Sequence, residues 1–209
     1  MTVTTRGELT RAAILQAAHD LFIKQGYHGT SMRQIARSAH LALGGLYNYF
    51  SSKEQVFEAV FKAYHPYHEV LPLIASAQGS NLEQMVQNAF QHMVQAIEDR
   101  PGFLNLMFIE AVEFKSTHTR QLFATLFPQG MQIIQHLTTS FPEQMRPLSA
   151  PMVVRTFLGL FLGYYLTQTA LASASPIEFT QDAKQQFVDI YLHGILANPE
   201  QLNASRLQG

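Results

Sequence analysis

The chain has 209 residues, 47% of them hydrophobic and 14% charged, with a formal net charge of −1 and no cysteine. That length and apolar fraction suit one large domain or a small one beside a larger one. The absence of thiols excludes disulfides and thiolate chemistry and fits a reducing compartment. The first residues carry acidic side chains early and lack a continuous apolar core, so no signal peptide is expected there. The longest apolar run, Phe157 to Leu166, falls short of the ~20 residues of a bilayer span. These features predict a soluble, cytoplasmic protein with no membrane partner. The low charge also suggests apolar surface that is buried between subunits.

Charge is divided along the chain. Residues 1–55 hold six basic side chains against three acidic ones, and residues 56–209 hold eight against twelve. A small basic module on an acidic body suggests that the module meets a polyanion.

Strand signals are weak and helical periodicity recurs. The first helix is predicted from about Glu8 to Gln25, with Ile14, Ala17, Ala18, Leu21 and Phe22 as its stripe and Gly26 as its terminating glycine. Thr30-Ser31, with Gln34 three residues after Ser31, forms a capping-box pattern. It opens a short helix whose Met32, Ile35, Ala36 and Ala39 point inward. After a break from His40 to Leu43 comes a segment with Leu46 and Phe50 as its buried side. Ser51 or Ser52 then caps a fourth helix with Val56, Phe57, Val60 and Phe61 as its apolar face. The prolines at 66 and 72 predict a boundary between about His65 and Ser80. Beyond it, helices are predicted over Leu82–Arg100, Phe103–Phe114 with Pro101 as its first residue, Thr117–Ser140, Pro151–Ser173 and Gln181–Ala197.

Two short helices joined by a tight turn and backed by a third make a helix-turn-helix, whose second helix enters the DNA major groove by its amino end. Gly44 and Gly45 leave the backbone there free to approach a duplex. Tyr47 and Asn48 lie away from the Leu46/Phe50 side, where a phenol suits a phosphate and an amide suits a base edge. Backbone amides at the helix starts near Thr30-Ser31 and Leu43 suit phosphates.

The residues carry a further likeness. The pieces A-x-x-L-F-x-x-x-G-Y-x-x-T-S, I-A-x-x-A and G-x-L-Y-x-Y-F-x-S-K-E within Arg11–Phe57 resemble the DNA-binding domain of the TetR family of transcriptional regulators. The resemblance covers about a quarter of the chain. It implies an all-α protein of about nine helices, with a DNA-binding domain over 1–55 and an effector-binding and dimerisation domain over 56–209. It implies a homodimer that binds a palindromic operator and is released by a small effector. By position it makes Leu43 to Phe50 the recognition helix, with Gly44, Tyr47 and Asn48 facing DNA, and Arg33 and Lys53 phosphate contacts. Three positions depart from the family's pattern, which has Gly at His40, a polar cap at Ala42 and Lys or another polar residue at Leu43.

In the carboxy-terminal part, Phe103, Leu106, Met107, Glu110 and Phe114 share one helix face, so Glu110 sits within an apolar stripe and needs a partner: Arg155, Arg120, a backbone donor or a ligand's polar group. Glu113 falls off that stripe, toward solvent. Phe90, Met93, Phe127, Met131, Ile134, Phe161, Tyr164 and Tyr165 suit either an ordinary core or an adaptable apolar pocket. Few charges converge on them, so a hydrophobic or aromatic effector is expected. The segment 151–171 is apolar nearly all round, with Gly159 and Gly163 spaced for close helix approach. A two-fold dimer is predicted through Met152, Phe157 and Leu160 on this helix and Phe187, Val188, Tyr191 and Ile195 on the last.

No cofactor, metal or catalytic constellation is expected. His65, His68 and Glu69 are interrupted by Pro66, and no nucleophile–base pair or phosphate loop is present. A soluble helical carrier of lipid or aromatic ligands, its helix-turn-helix no longer reading DNA, is the alternative reading.

Overall fold

The computed structural model describes residues 5–75, 80–100, 102–141, 143–171 and 183–195, and every regular element among them is an α-helix. In chain order these are α1 (Arg6–Gly29), α2 (Met32–Ser38), α3 (Leu43–Tyr47), α4 (Lys53–Tyr64), α5 (Tyr67–Ala75), α6 (Leu82–Glu98), α7 (Phe103–Glu113), α8 (Thr117–Ser140), α9 (Ala150–Leu171) and α10 (Ala183–Ile195). They form two units, one of residues 1–65 with 100–125, the other of 66–99 with 126–209. The first unit therefore holds α4 and α7 as well as the helix-turn-helix.

Local chemistry sets the helix ends. Thr5 caps α1, its hydroxyl accepting from the Glu8 amide while the Glu8 carboxylate accepts from the Thr5 amide. This box starts α1 two residues before the predicted Glu8. Gly26, at φ 74° and ψ 175°, interrupts the helix where a terminating glycine was expected, and a last turn follows to Gly29. Ser31 and Gln34 form the predicted capping box of α2. His40 takes φ 57°, and two bonds close α2 behind it: His40 N–H to Arg37 O and Leu41 N–H to Ala36 O. This is the paired closure that a left-handed residue permits, with a Cβ where glycine would carry none. Ala42 precedes α3 and offers no side-chain acceptor. Ser52, not Ser51, caps α4.

Burial in the first unit follows the predicted stripes. Ile14, Ala18, Phe22, Ile35, Leu46, Val56, Phe57, Val60 and Phe61 are all sealed, whereas Leu21 is only half-buried. Phe114 stacks on Phe57 at 4.5 Å between ring centres, which joins the end of α7 to α4. At the start of α7, Pro101 lies outside the described residues and Gly102 is the cap, at φ 90°. A Cβ on Gly102 would come within 2.8 Å of the Ile23 Cδ1 atom, so both backbone angle and space there call for glycine.

In the second unit, the stretch expected as a boundary holds α5, with Pro66 O accepting from the Glu69 and Val70 amides. Pro66 precedes the helix, where no N–H is required of it and there is no earlier turn for its ring to meet, whereas Pro72 lies inside α5. Asn81 caps α6, whose Phe90 meets the rings of Phe157, Phe161 and Tyr164 at 6.3, 6.1 and 5.6 Å. Tyr164 meets Phe187 at 5.5 Å, and the buried Tyr191 hydroxyl donates to Val153 O at 3.1 Å. The outer ends predicted for the last two helices, 172–173, 181–182 and 196–197, lie outside the described residues.

Three expectations about α9 and α10 change. Val188, Tyr191 and Ile195 are buried within the chain itself and belong to its core. Met152, one of the predicted contact residues, is exposed, and the other exposed apolar residues are Leu158, Leu162 and Leu166 on α9 and Ile190 on α10, the last 72% exposed. Phe157, Leu160 and Phe187 are half-buried. Among the described residues no helix comes close at Gly159 or Gly163, since a Cβ at either would meet nothing within 4 Å. The window Ala150–Gln168 is long and apolar enough to cross a membrane by length and composition. This departs from the short-run expectation because the helix accommodates Arg155 and several small residues among its apolar ones.

Two measurements check this local account. Gly102→Ala should lower unfolding free energy by about 1–3 kcal/mol in urea titrations, through strain and crowding against Ile23. His40→Gly and Ala42→Ser should each raise it by about 1 kcal/mol, the first by relieving the left-handed residue and the second by supplying a cap.

Candidate nucleic-acid interface

Within the first unit, α2 and α3 turn one set of side chains inward and another outward. Ile35, Ala36, Leu46 and Phe50 are buried, so the register of both helices is fixed. The i, i+4 spacing of Leu46 and Phe50 then leaves Gly44, Tyr47 and Asn48 on the exposed side, with Tyr47 49% exposed. Ser31 and Arg33 are exposed at the start of α2, Leu43 and Gly45 are half-buried, and Arg37 is exposed in its last turn. Neither α2 nor α3 has an acidic residue in its first turn. Helix starts without carboxylates keep their partial positive charge available to an anion. The predicted recognition helix is shorter than expected: it ends at Tyr47, and the Tyr49 and Phe50 amides fold back onto Leu46 O.

Two of the predicted contact residues have internal duties. Thr30 is 2% exposed, and its hydroxyl donates to Gly26 O at 2.8 Å, closing the kink of α1. Its side chain is structural, a correction to its place among the contacts. Lys53 Nζ donates to Tyr27 O at 2.8 Å and Thr30 O at 2.9 Å, and lies 4.1 Å from the centre of the Tyr27 ring.

Tyr27 is a residue that the periodicity did not single out. Its hydroxyl donates to Glu54 Oε1 at 3.0 Å, and its ring meets those of Phe57 and Phe114 edge-on. Burial raises the pKa of this phenol, and the hydrogen bond to Glu54 raises it further. The Glu54 carboxyl is held low by its own backbone amide, the Ser52 hydroxyl and the Tyr27 hydroxyl. Next to Tyr27, His28 Nε2 lies 2.6 Å from Glu113 Oε2, so Glu113 has a partner and is not simply solvated.

The residues proposed from sequence for an effector pocket divide between the units. In the first, Phe103 and Leu106 are buried and Met107 is half-buried. Glu110 is 0% exposed and takes its hydrogen bonds from within the chain: the His118 amide at 2.7 Å, the Thr119 amide at 3.1 Å and His118 Nδ1 at 2.7 Å. The backbone-donor expectation holds. Arg120 instead reaches Lys115 O, and Arg155 is exposed. The signal for His118 is faint in sequence, because it lies eight residues from Glu110 across a turn that Lys115 and Ser116 make with φ 51° and 58°. In the second unit, Phe90, Met93, Ile134, Phe161 and Tyr164 are buried, Met131 and Tyr165 are half-buried, and Phe127 is 47% exposed and so does not line the interior. Burial raises the phenol pKa of both Tyr164 and Tyr165.

Residues 14–60 match the family model described as bacterial regulatory proteins, tetR family. The HTH-type transcriptional regulator UidR of Escherichia coli is 39% identical over 56 residues, which are 27% of this chain and 29% of that protein. The chain thus matches less than a third of UidR's length. The HTH-type protein YttP of Bacillus subtilis is 27% identical over 146 residues, 68% of this chain and 70% of that one. Among solved structures, NalD, the secondary repressor of the MexAB-OprM multidrug efflux pump in Pseudomonas aeruginosa, superposes with a TM-score of 0.67 at 19% identity, over 92% of this chain and 98% of its own. The capped α2, the short α3 exposing Tyr47 and Asn48, and the helices of the described residues all accord with these likenesses, and the amino-terminal helix-turn-helix is of the type found in the TetR family of bacterial regulatory proteins.

Proposed function

We propose that this protein is a DNA-binding transcriptional regulator, a repressor that binds a two-fold-symmetric operator as a homodimer and leaves it when a small, mostly apolar or aromatic effector binds. One observation carries the reading: a rigidly seated helix-turn-helix presents Arg33, Tyr47 and Asn48 outward, with no acidic residue in the first turn of either helix. Asn48 reads a base edge, Tyr47 and Arg33 hold phosphates, and the exposed backbone at Gly44 admits close approach. Leu43 stands where a polar residue would hold a phosphate, and it contacts a thymine methyl instead. NalD's description as a repressor supports the sign of regulation.

Dimerisation runs through the outward stripe of Leu158, Leu162 and Leu166 with Met152 on α9, and Ile190 on α10. A row of exposed leucines beside open-faced Gly159 and Gly163 is what a second helix covers in a two-fold contact. The effector occupies the aromatic and methionine-rich interior of the second unit, around Phe90, Met93, Phe161 and Tyr164. Its binding shifts the population toward a spacing of the two recognition helices that no longer matches the half-sites.

Selection from a random duplex library by the purified protein should enrich one two-fold-symmetric sequence, and anisotropy titrations should show salt-sensitive binding to it. Enrichment of nothing would remove the DNA reading and favour a ligand carrier. On the selected duplex, Asn48→Ala should cost about 1–3 kcal/mol and relax preference at one position of each half-site. Leu162→Glu should turn a dimer into a monomer in sedimentation equilibrium, since it places an uncompensated charge in the contact; an unchanged dimer mass would move the interface elsewhere.

A further inference from the structure

Lys53 opens α4 directly after the segment that carries α2 and α3, and Thr30 ends α1 directly before it. The whole helix-turn-helix, residues 31–52, is thus a loop between these two points. Its ends are joined by Lys53, whose ammonium donates to Tyr27 O at 2.8 Å and Thr30 O at 2.9 Å and lies over the Tyr27 ring. Glu54, the next residue, accepts the Tyr27 hydroxyl at 3.0 Å. Two adjacent side chains therefore grip one tyrosine, from its carbonyl and ring face and from its hydroxyl. The geometry points to Lys53 as a positioning residue that staples the helix-turn-helix closed, rather than as a ligand of DNA phosphate. This rests on the DNA-binding reading above.

Three physical points support it. First, the kink at Gly26 interrupts the helical ladder, Tyr27 O takes the Thr30 amide at 3.2 Å and Lys53 as a further donor, and a cation at a helix carboxyl end also meets the negative end of the dipole. Second, both contacts are short, charge-assisted bonds. To reach a phosphate, Nζ would leave two half-buried carbonyls and the ring face at once. Third, Glu54, the residue after Lys53, accepts the Tyr27 hydroxyl at 3.0 Å, so the first turn of α4 holds that tyrosine at both ends.

A phosphate ligand and a staple differ in what they do to binding. Loss of a phosphate contact weakens binding alike on all sequences and flattens the salt dependence, whereas a loosened staple harms only the binding that needs correct placement of α2 and α3. The test compares wild type, Lys53→Met and Lys53→Arg on the duplex selected by the wild type and on a shuffled duplex, each at several salt concentrations. Lys53→Met is expected to lose about tenfold or more on the selected duplex, with the slope of log K against log salt unchanged and shuffled-duplex affinity kept. Lys53→Arg keeps the charge but replaces a single nitrogen with a planar fork, and it should also lose specificity. A uniform loss for Lys53→Met with a slope smaller by about 0.9 for each protomer, restored by Lys53→Arg, overturns the proposal. Hydrogen exchange of the free proteins reads the staple without DNA. Amides of residues 31–52 should exchange faster as a block in Lys53→Met than in wild type, and equal protection there overturns the proposal whether or not the protein binds a duplex.

Discussion

The first unit is organised around the ring of Phe57. It is sealed from solvent and meets Phe22, Tyr27, Phe61 and Phe114 at 5.4, 5.7, 6.3 and 4.5 Å between centres. These rings come from α1, from the last turn beyond its kink, from α4 and from the end of α7. Aromatic groups in such edge-on and offset arrangements gain beyond the area they bury. More usefully, they fix angles. Once Phe57 is seated, α4 has one rotation about its axis, Lys53 and Glu54 are brought to Tyr27, and the α2–α3 segment has one place to close. The outward direction of Tyr47 and Asn48 follows from a core in which Leu46 and Phe50 are seated.

Polar groups in this unit serve the same purpose at the helix ends. Glu110 is a fully buried carboxylate, which would be costly without donors. It receives two amides from the first turn of α8 and the His118 ring, so it acts as a cap supplied from a neighbouring helix. That use explains how an acidic residue sits in the middle of an apolar stripe with no arginine beside it. It also fixes the corner that two consecutive left-handed residues, Lys115 and Ser116, create between α7 and α8. His28 and Glu113 tie the end of α1 to the end of α7 in a similar way on the surface, where the pair is worth less.

The second unit is built on different chemistry. Phe90, Phe161, Tyr164, Phe187 and Tyr191 interleave from α6, α9 and α10, and Tyr191 keeps its hydroxyl bonded to Val153 O. Helix α9 is apolar on both sides, but only one side is used within the chain. Leu158, Leu162 and Leu166 remain exposed, and this is the side that the proposed dimer contact would cover. Read as sequence, the two sides are indistinguishable, because hydrophobicity alone carries no phase when nearly every residue has it.

The sequence by itself determined the elements that depend on neighbours a few residues away. The capping box at Ser31 and Gln34, the break at Gly26 and the buried face of α4 were all legible, because each is set by one residue's conformational range or by helical spacing, whereas His40 and Ala42 stood out only against the family's pattern. The motif from Ala18 to Glu54 also carried the likeness to the TetR family. Only the tertiary structure decided the rest. Lys53 found two carbonyls and a ring more than twenty residues away, Thr30 turned inward, and Glu110 paired across a corner with His118. Val188, Tyr191 and Ile195 proved to be core, and Leu158, Leu162 and Leu166 surface. A side chain's partner is fixed by which helices meet and at what rotation, and that is a property of the packed rings and not of any one segment.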